Sequence, residues 1–251
     1  MIDRNLIFDI GLHTGLDTKF YADKGFKVVS LEANPAMVAE ARKILLPALM
    51  GGQVTIVEKA LWEEGGQNVT FYTVAEKDDW SSLFRGVAEK GQYKATEITV
   101  PTLTLKDLFD EHGVPYYLKC DIEGGDAIMV RQLLADHRRP AFVSVEATSL
   151  TDIAVLAACG YDRFQIVNQQ YHWNTQPPNP PREGKHVPVQ FTGHMSGLFG
   201  RELPADRWFP FPEVADRFLA WHRLKKMDEL LAPGWLDFHA TTAATLKAKP
   251  A

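Results

Sequence analysis

Leu6-Ile7-Phe8-Asp9-Ile10-Gly11-Leu12-His13-Thr14-Gly15 is the stretch whose reading decides the fold. An apolar run of strand length, interrupted only by Asp9, closes at Gly11. Leu16, Phe20 and Tyr21 then recur at helical spacing until Gly25 provides a C-terminal stop. A strand, a glycine turn and a helix in that order open a βα unit. A turn of this kind lets the backbone approach a ligand at the carboxyl edge of a sheet.

Working outward, the same alternation repeats. Residues 27–31 read as a second strand. Asn34 and Pro35 supply an N-cap and a first-turn proline for a second helix, and residues 54–57 and 69–74 read as further strands. After a polar, glycine-containing stretch at 78–94, expected to be a surface loop, the pattern resumes. It shows a strand at 116–120, a helix at 127–135, a strand at 141–145, a helix at 150–159 stopped by Gly160, and a last strand at 164–167. Such alternation predicts an α/β protein with a mostly parallel sheet and helices on its faces. Beyond 167 the character changes. Residues 176–188 are proline-rich and aperiodic, and 213–231 read as a helix with Val214, Phe218, Trp221, Leu224 and Leu231 near one face. We expect a domain over 1–167 and a loop-rich, helical extension over 168–251 packed on it as a cap. The apolar helix face would suit a homodimer.

Composition narrows the class of function. The chain has 251 residues, is 45% hydrophobic and 24% charged, and carries a net charge of −5. It therefore lacks the basic field expected of a protein whose main partner is nucleic acid. Cys120 and Cys159 form no CxxC pair, which argues against a disulfide framework or a cysteine zinc site. The first apolar run is too short for a signal peptide, and none reaches the roughly 18 residues of a membrane span. A cytoplasmic location is the expectation.

Three signals carry chemistry. A dinucleotide fingerprint starting at Gly11 would place glycines at 13 and 16, where this chain has His13 and Leu16, so two of the three glycines of a diphosphate cradle are missing. Asp9, two residues before Gly11, can anchor the turn or a ligand amine. Glu32 ends the second strand 21 positions after Gly11, where a carboxylate can accept both hydroxyls of an adenosine ribose. The run Lys119-Cys120-Asp121-Ile122-Glu123-Gly124-Gly125-Asp126 puts two carboxylates at a strand's carboxyl end beside a glycine turn. Residues two apart on a strand share a face, so Asp121 and Glu123 are expected to point the same way. They would suit a cation, such as a sulfonium, or an acceptor proton. Plainer roles stand beside these: a solvated strand end for Glu32, a helix cap for Asp121, a lysine partner for Glu123, and surface or packing positions for His13, His172, His186 and His194. A nicotinamide-dependent oxidoreductase also fits Glu32, and a non-catalytic nucleoside-binding module fits the fold.

The runs Asp9–Thr18, Leu31-Glu32-Ala33-Asn34-Pro35 and Leu118–Gly124 resemble those of the FkbM-type family of class I methyltransferases. Ala60-Leu61, Thr102–Leu105, Val145-Glu146 and Gly160-Tyr161 match too. The similarity spans about 6–167, and its most specific element is Lys-x-Asp-x-Glu-Gly. Leu12-His13 stand where the family commonly has Ala-Asn. The resemblance implies a seven-stranded Rossmann-like sheet, S-adenosylmethionine as cofactor, and O-methylation of a hydroxyl on a small molecule, sugar or lipid-linked acceptor. It implies a cofactor turn from Asp9, Gly11, His13, Thr14 and Gly15. Glu32 with Ala33 would lie at the ribose, Ala60 and Leu61 near the adenine, and Asp121 and Glu123 at the reaction centre, with no metal.

Overall fold

A computed structural model describes residues 1–91 and 93–248. Gln92, inside the expected loop at 78–94, and the last three positions of the expected extension lie outside the described residues. The chain runs β1 (Ile2–Ile10), α1 (Leu16–Asp23), β2 (Lys27–Leu31), α2 (Pro35–Met50), β3 (Val54–Val57), β4 (Ala60–Leu61), β5 (Asn68–Thr73), α3 (Arg85–Ala88), β6 (Thr96–Leu103), α4 (Leu105–His112), β7 (Val114–Cys120), α5 (Asp126–Asp136), β8 (Phe142–Glu146), α6 (Leu150–Ala158), β9 (Arg163–Asn168), α7 (Phe211–Met227), β10 (Leu236–Thr241) and α8 (Ala243–Lys247).

Seven strands form the central sheet in the order β3-β2-β1-β7-β8-β10-β9. The β1–β2, β2–β3, β1–β7 and β7–β8 pairs are parallel, and β10 is antiparallel to both of its neighbours. Because the second half of β1 is buried on both sides, its side chains divide between two cores. Leu6, Phe8 and Ile10 join α4, α5, α6 and α7 in one apolar layer. Ile7 joins α1, α2 and a loop-rich run containing Phe191, Phe199 and Trp208 in the other. The parallel strands are near-continuous apolar runs because helices or loops cover both faces.

Three differences from the sequence reading have physical causes. The strand at 69–74 was expected beside the parallel strands. It instead pairs antiparallel with β6 in a separate three-stranded sheet, β4-β6-β5. The place among the seven is taken by β10, from the segment expected to be a cap. Residues 168–248 thus cover one face with loops, the other with α7, and enter the sheet between β8 and β9. The helix expected at 213–231 ends at Met227, followed by a short turn at Glu229–Leu231. Of its anticipated apolar face, Val214 and Phe218 are buried, whereas Leu224 and Leu231 are exposed.

Candidate active site

The turn after β1 is shaped by one close approach. Gly11 has φ +95°, and a Cβ there would lie 1.8 Å from the Asp121 carbonyl oxygen. Only glycine lets β1 and the end of β7 come this near. The Gly11 and Leu12 amides both donate to the Leu31 carbonyl, each at 3.0 Å, which fixes the turn to the end of β2. Gly15, also at positive φ, is the N-cap of α1, and its bare Cα packs against Ala41 and Leu45 of α2.

At the end of β2, Glu32 accepts the His13 amide on Oε2 (2.9 Å) and the Asn34 amide on Oε1 (2.8 Å). Each oxygen keeps a lone pair for a ligand, and two backbone bonds fix the carboxylate's orientation. Burial raises its pKa above the ordinary value, opposed by those backbone donors.

A cavity of about 510 Å³ opens at the carboxyl edge of the sheet. Gly11, His13, Glu32, Ala33, Ala60, Leu61, Asp121 and Glu123 line it, so the structure gathers most of the residues singled out from sequence. Ala33 and Ala60 share an apolar cluster with Phe71 and Leu83, giving the cavity an apolar end near the Glu32 carboxylate. Asp9, Thr14 and Gly15 do not line it.

Asp9 is fully buried behind the turn. Its Oδ2 accepts from the Thr18 hydroxyl (2.6 Å), and its Oδ1 lies 3.1 Å from Lys119 Nζ. Lys119 also reaches the Gly11 carbonyl (3.1 Å) and Asp17 (3.3 Å). Asp17 in turn accepts the Ser196 amide on both oxygens, each at 3.0 Å. Burial works against the Lys119 charge, but Asp9, Asp17 and Asp121 outweigh it and hold its pKa above the lysine range. The cluster has one carboxylate more than ammonium, and burial, with Asp9 nearby, raises Asp17. Asp9 therefore anchors the turn, the first of the two roles its position allows, and has no face toward the ligand space.

Asp121 follows the last residue of β7, its amide bonded to the Ile10 carbonyl (2.9 Å), and its side chain is exposed into the cleft. Strand geometry does not persist to Glu123, which has φ +46°. Glu123 instead pairs with Lys90 (2.9 Å), and its carbonyl accepts the Ser82 hydroxyl (2.7 Å). The expected surface loop at 78–94 is thereby drawn onto the site. Asp78, Asp79, Trp80 and Leu83 line the cavity, and Asp78 lies 3.3 Å from His13 Nε2. Across from it His194 stacks on His13 with centroids 5.5 Å apart, so two segments close over the glycine turn.

Four groups that the sequence did not assign also belong to this site. Lys119 and Asp17 hold the turn from below, and Ser196 reaches it from the loop at 193–196. Asp237 lies beside Glu146 at the far wall. Of the four, Lys119 stands inside the Lys-x-Asp-x-Glu-Gly run, whereas Glu146 was already marked by its place at a strand's end. Burial and Asp121 push Glu146 up to about 8 and buried Asp126 up to about 7.

A seven-stranded sheet with one inserted antiparallel strand, a glycine turn at its carboxyl edge and a carboxylate after the second strand give a Rossmann-like fold of the class I methyltransferase kind. The sequence model described as the methyltransferase FkbM domain matches residues 9–163, and the chain belongs to that family. None of the curated proteins compared with the chain matches it. Similar solved structures include a precorrin-6y C5,15-methyltransferase of Geobacter metallireducens, with 12% identity, a TM-score of 0.43, and coverage of 97% of this chain and 82% of that one. Another is a Haemonchus contortus phosphoethanolamine N-methyltransferase 2 with phosphomonomethylethanolamine and S-adenosylhomocysteine. It has 10% identity, a TM-score of 0.39, and coverage of 96% and 50%. The two-point hold on Glu32, facing the cavity beside apolar Ala33 and Ala60, fits the cofactor S-adenosylmethionine.

Proposed function

We propose that this protein transfers the methyl group of S-adenosylmethionine to a hydroxyl oxygen of a small-molecule, sugar or lipid-linked acceptor. Glu32 carries the reading. Its fixed carboxylate faces the cavity beside an apolar end formed by Ala33, Ala60 and Leu61, an arrangement suited to a ribose diol and its base. The Gly11 turn lies beside it and Asp121 at the cavity's acidic end, where a cationic centre would be stabilised.

The bound cofactor would supply a methyl already activated on a sulfonium. The protein's task is to align an acceptor oxygen with that carbon and exclude water, and alignment of this kind is worth up to roughly 7–11 kcal/mol. Glu123 is committed to Lys90 and holds residues 78–90 over the cavity. It thus serves closure, and Asp121 faces the reacting centre. His13 and His194 form part of the roof. The net charge of −5 and the acidic lining favour a neutral or cationic acceptor over a polyanion.

Two measurements test this. Replacing Glu32 by Ala removes two charge-assisted ribose contacts, so the affinity for S-adenosylhomocysteine in calorimetry should fall about 10- to 100-fold. Unchanged affinity would take Glu32 out of the cofactor site. Labelled methyl from S-adenosylmethionine should enter base-stable ether products in a panel of hydroxylated acceptors and cell extracts; label appearing only on nitrogen or carbon would reject O-methylation.

A further inference from the structure

Asp237 and Glu146 stand directly opposite each other on the antiparallel β8–β10 pair. The next bond along, from the Ala147 amide to the Leu236 carbonyl (2.7 Å), puts the two acids at a non-hydrogen-bonded position, where side chains across a sheet come closest. Both line the cavity, on the wall that also holds Asp121, Gln169 and half-exposed Trp235. Like charges opposed in this way repel unless a proton lies between them. Asp237 accepts the Gln169 amide on Oδ2 at 2.7 Å, and Gln169 is itself buried. The Glu146 carboxylate accepts no side-chain or backbone hydrogen bond among the described residues, whereas Glu123 and Asp9 are already paired with lysines.

On the reading that the cavity transfers a methyl group to a hydroxyl, we propose that Glu146 and Asp237 share one proton in the resting protein and together form the base that takes the acceptor's proton. Gln169 fixes Asp237, leaving Glu146 turned to the acceptor. The charged groups facing the pair are Asp121 after β7, Glu123 in the following turn, Asp126 on α5, Lys119 on β7, and Lys90 from the segment clamped over the cavity. The acids outnumber the two lysines, and both members of the pair lie above the ordinary carboxylate range, from burial first and then Asp121. In the transfer, the acceptor oxygen gains its bond to the methyl carbon and the electron pair of the broken carbon–sulfur bond stays on sulfur. The hydroxyl proton passes to the pair, which returns it to water once the product leaves. Asp237 comes from the strand inserted last in the chain, beyond the matched residues 9–163.

Carbon-13 NMR of side-chain-labelled Glu and Asp tests the pair directly, with Glu146→Gln and Asp237→Asn assigning its signals. Two titration steps separated by more than about one pH unit are expected in the wild type, collapsing to a single step in each variant. Two carboxyls titrating together in the ordinary range would overturn the proposal. Both variants should bind S-adenosylhomocysteine within about twofold of wild type. Both should slow methyl transfer to a hydroxyl-rich cell extract at least ~100-fold, with loss of the acid limb of the pH–rate profile that tracks the pair's first step. An acid limb surviving in the double variant would also overturn it. Should the wild type itself fail to bind S-adenosylhomocysteine, the methyltransferase reading fails, whatever the pair's titration.

Discussion

At the scale of single residues, the site rests on positions with no room for substitution. Gly11 combines a left-handed backbone with a missing Cβ that would overlap the Asp121 carbonyl. Gly11→Ala should therefore cost several kcal/mol and move the turn, seen as a large drop in melting temperature together with loss of S-adenosylhomocysteine binding. A variant of normal stability and affinity would show that the approach is not needed. Asp126 is a different case, a buried carboxyl whose two oxygens have no side-chain partner. Its pKa is raised to about 7 by burial and by Asp121. The folded protein keeps this proton where the unfolded chain has lost it, so the group's contribution is full below about 4 and is lost as pH rises through about 7. Asp126→Asn should stabilise the protein more at pH 8 than at pH 5 in thermal unfolding, and an equal gain at both would remove the carboxylate as the cause.

At the scale of elements, a buried ion cluster ties β1, α1, β7 and the loop at 193–196 into one unit. Removing one partner from such a cluster leaves uncompensated charge and typically costs about 3–5 kcal/mol. Lys119→Met should fall in this range in chemical denaturation, and the Ser196 amide should exchange faster as Asp17 loses its hold. A loss below about 1 kcal/mol would mean that the lysine is dispensable. The glycine turn, the strand before it and the Glu32 carboxylate were legible from sequence because their signals are local, a few residues of apolar run, glycine and acid. The cluster was not legible, since Asp17 and Ser196 are 179 positions apart and nothing in either local run says that the two meet. Glu123 illustrates a nearer failure. Its spacing from Asp121 promised a shared face, but the backbone turns to φ +46° just past the strand and its side chain goes to Lys90.

At the scale of the molecule, the sheet is completed from its far end. β10 separates β8 from β9 and supplies Asp237 to the cavity, while residues 183–208 seal the face that α1 and α2 leave open. A chain ending at residue 168 should consequently fail to fold cooperatively, with β9 having no neighbour in the sheet. Circular dichroism during heating would show this as a broad, low-temperature loss of signal. A sharp transition near that of the full chain would show that the first 168 residues are self-sufficient. Among the described residues no helix is long and apolar enough to cross a membrane.

By itself the sequence determined the alternating βα architecture, the glycine turn and the carboxylate at the end of the second strand, because apolar periodicity, turn glycines and strand-end acids act over a few residues. The tertiary structure alone decided which acids face each other, that Asp9 supports the turn from behind, and that a late strand enters the sheet between β8 and the edge strand β9. Those outcomes depend on burial and on contacts between segments far apart in sequence, as Glu146 is from Asp237 and Asp9 from Lys119, which a linear pattern does not encode.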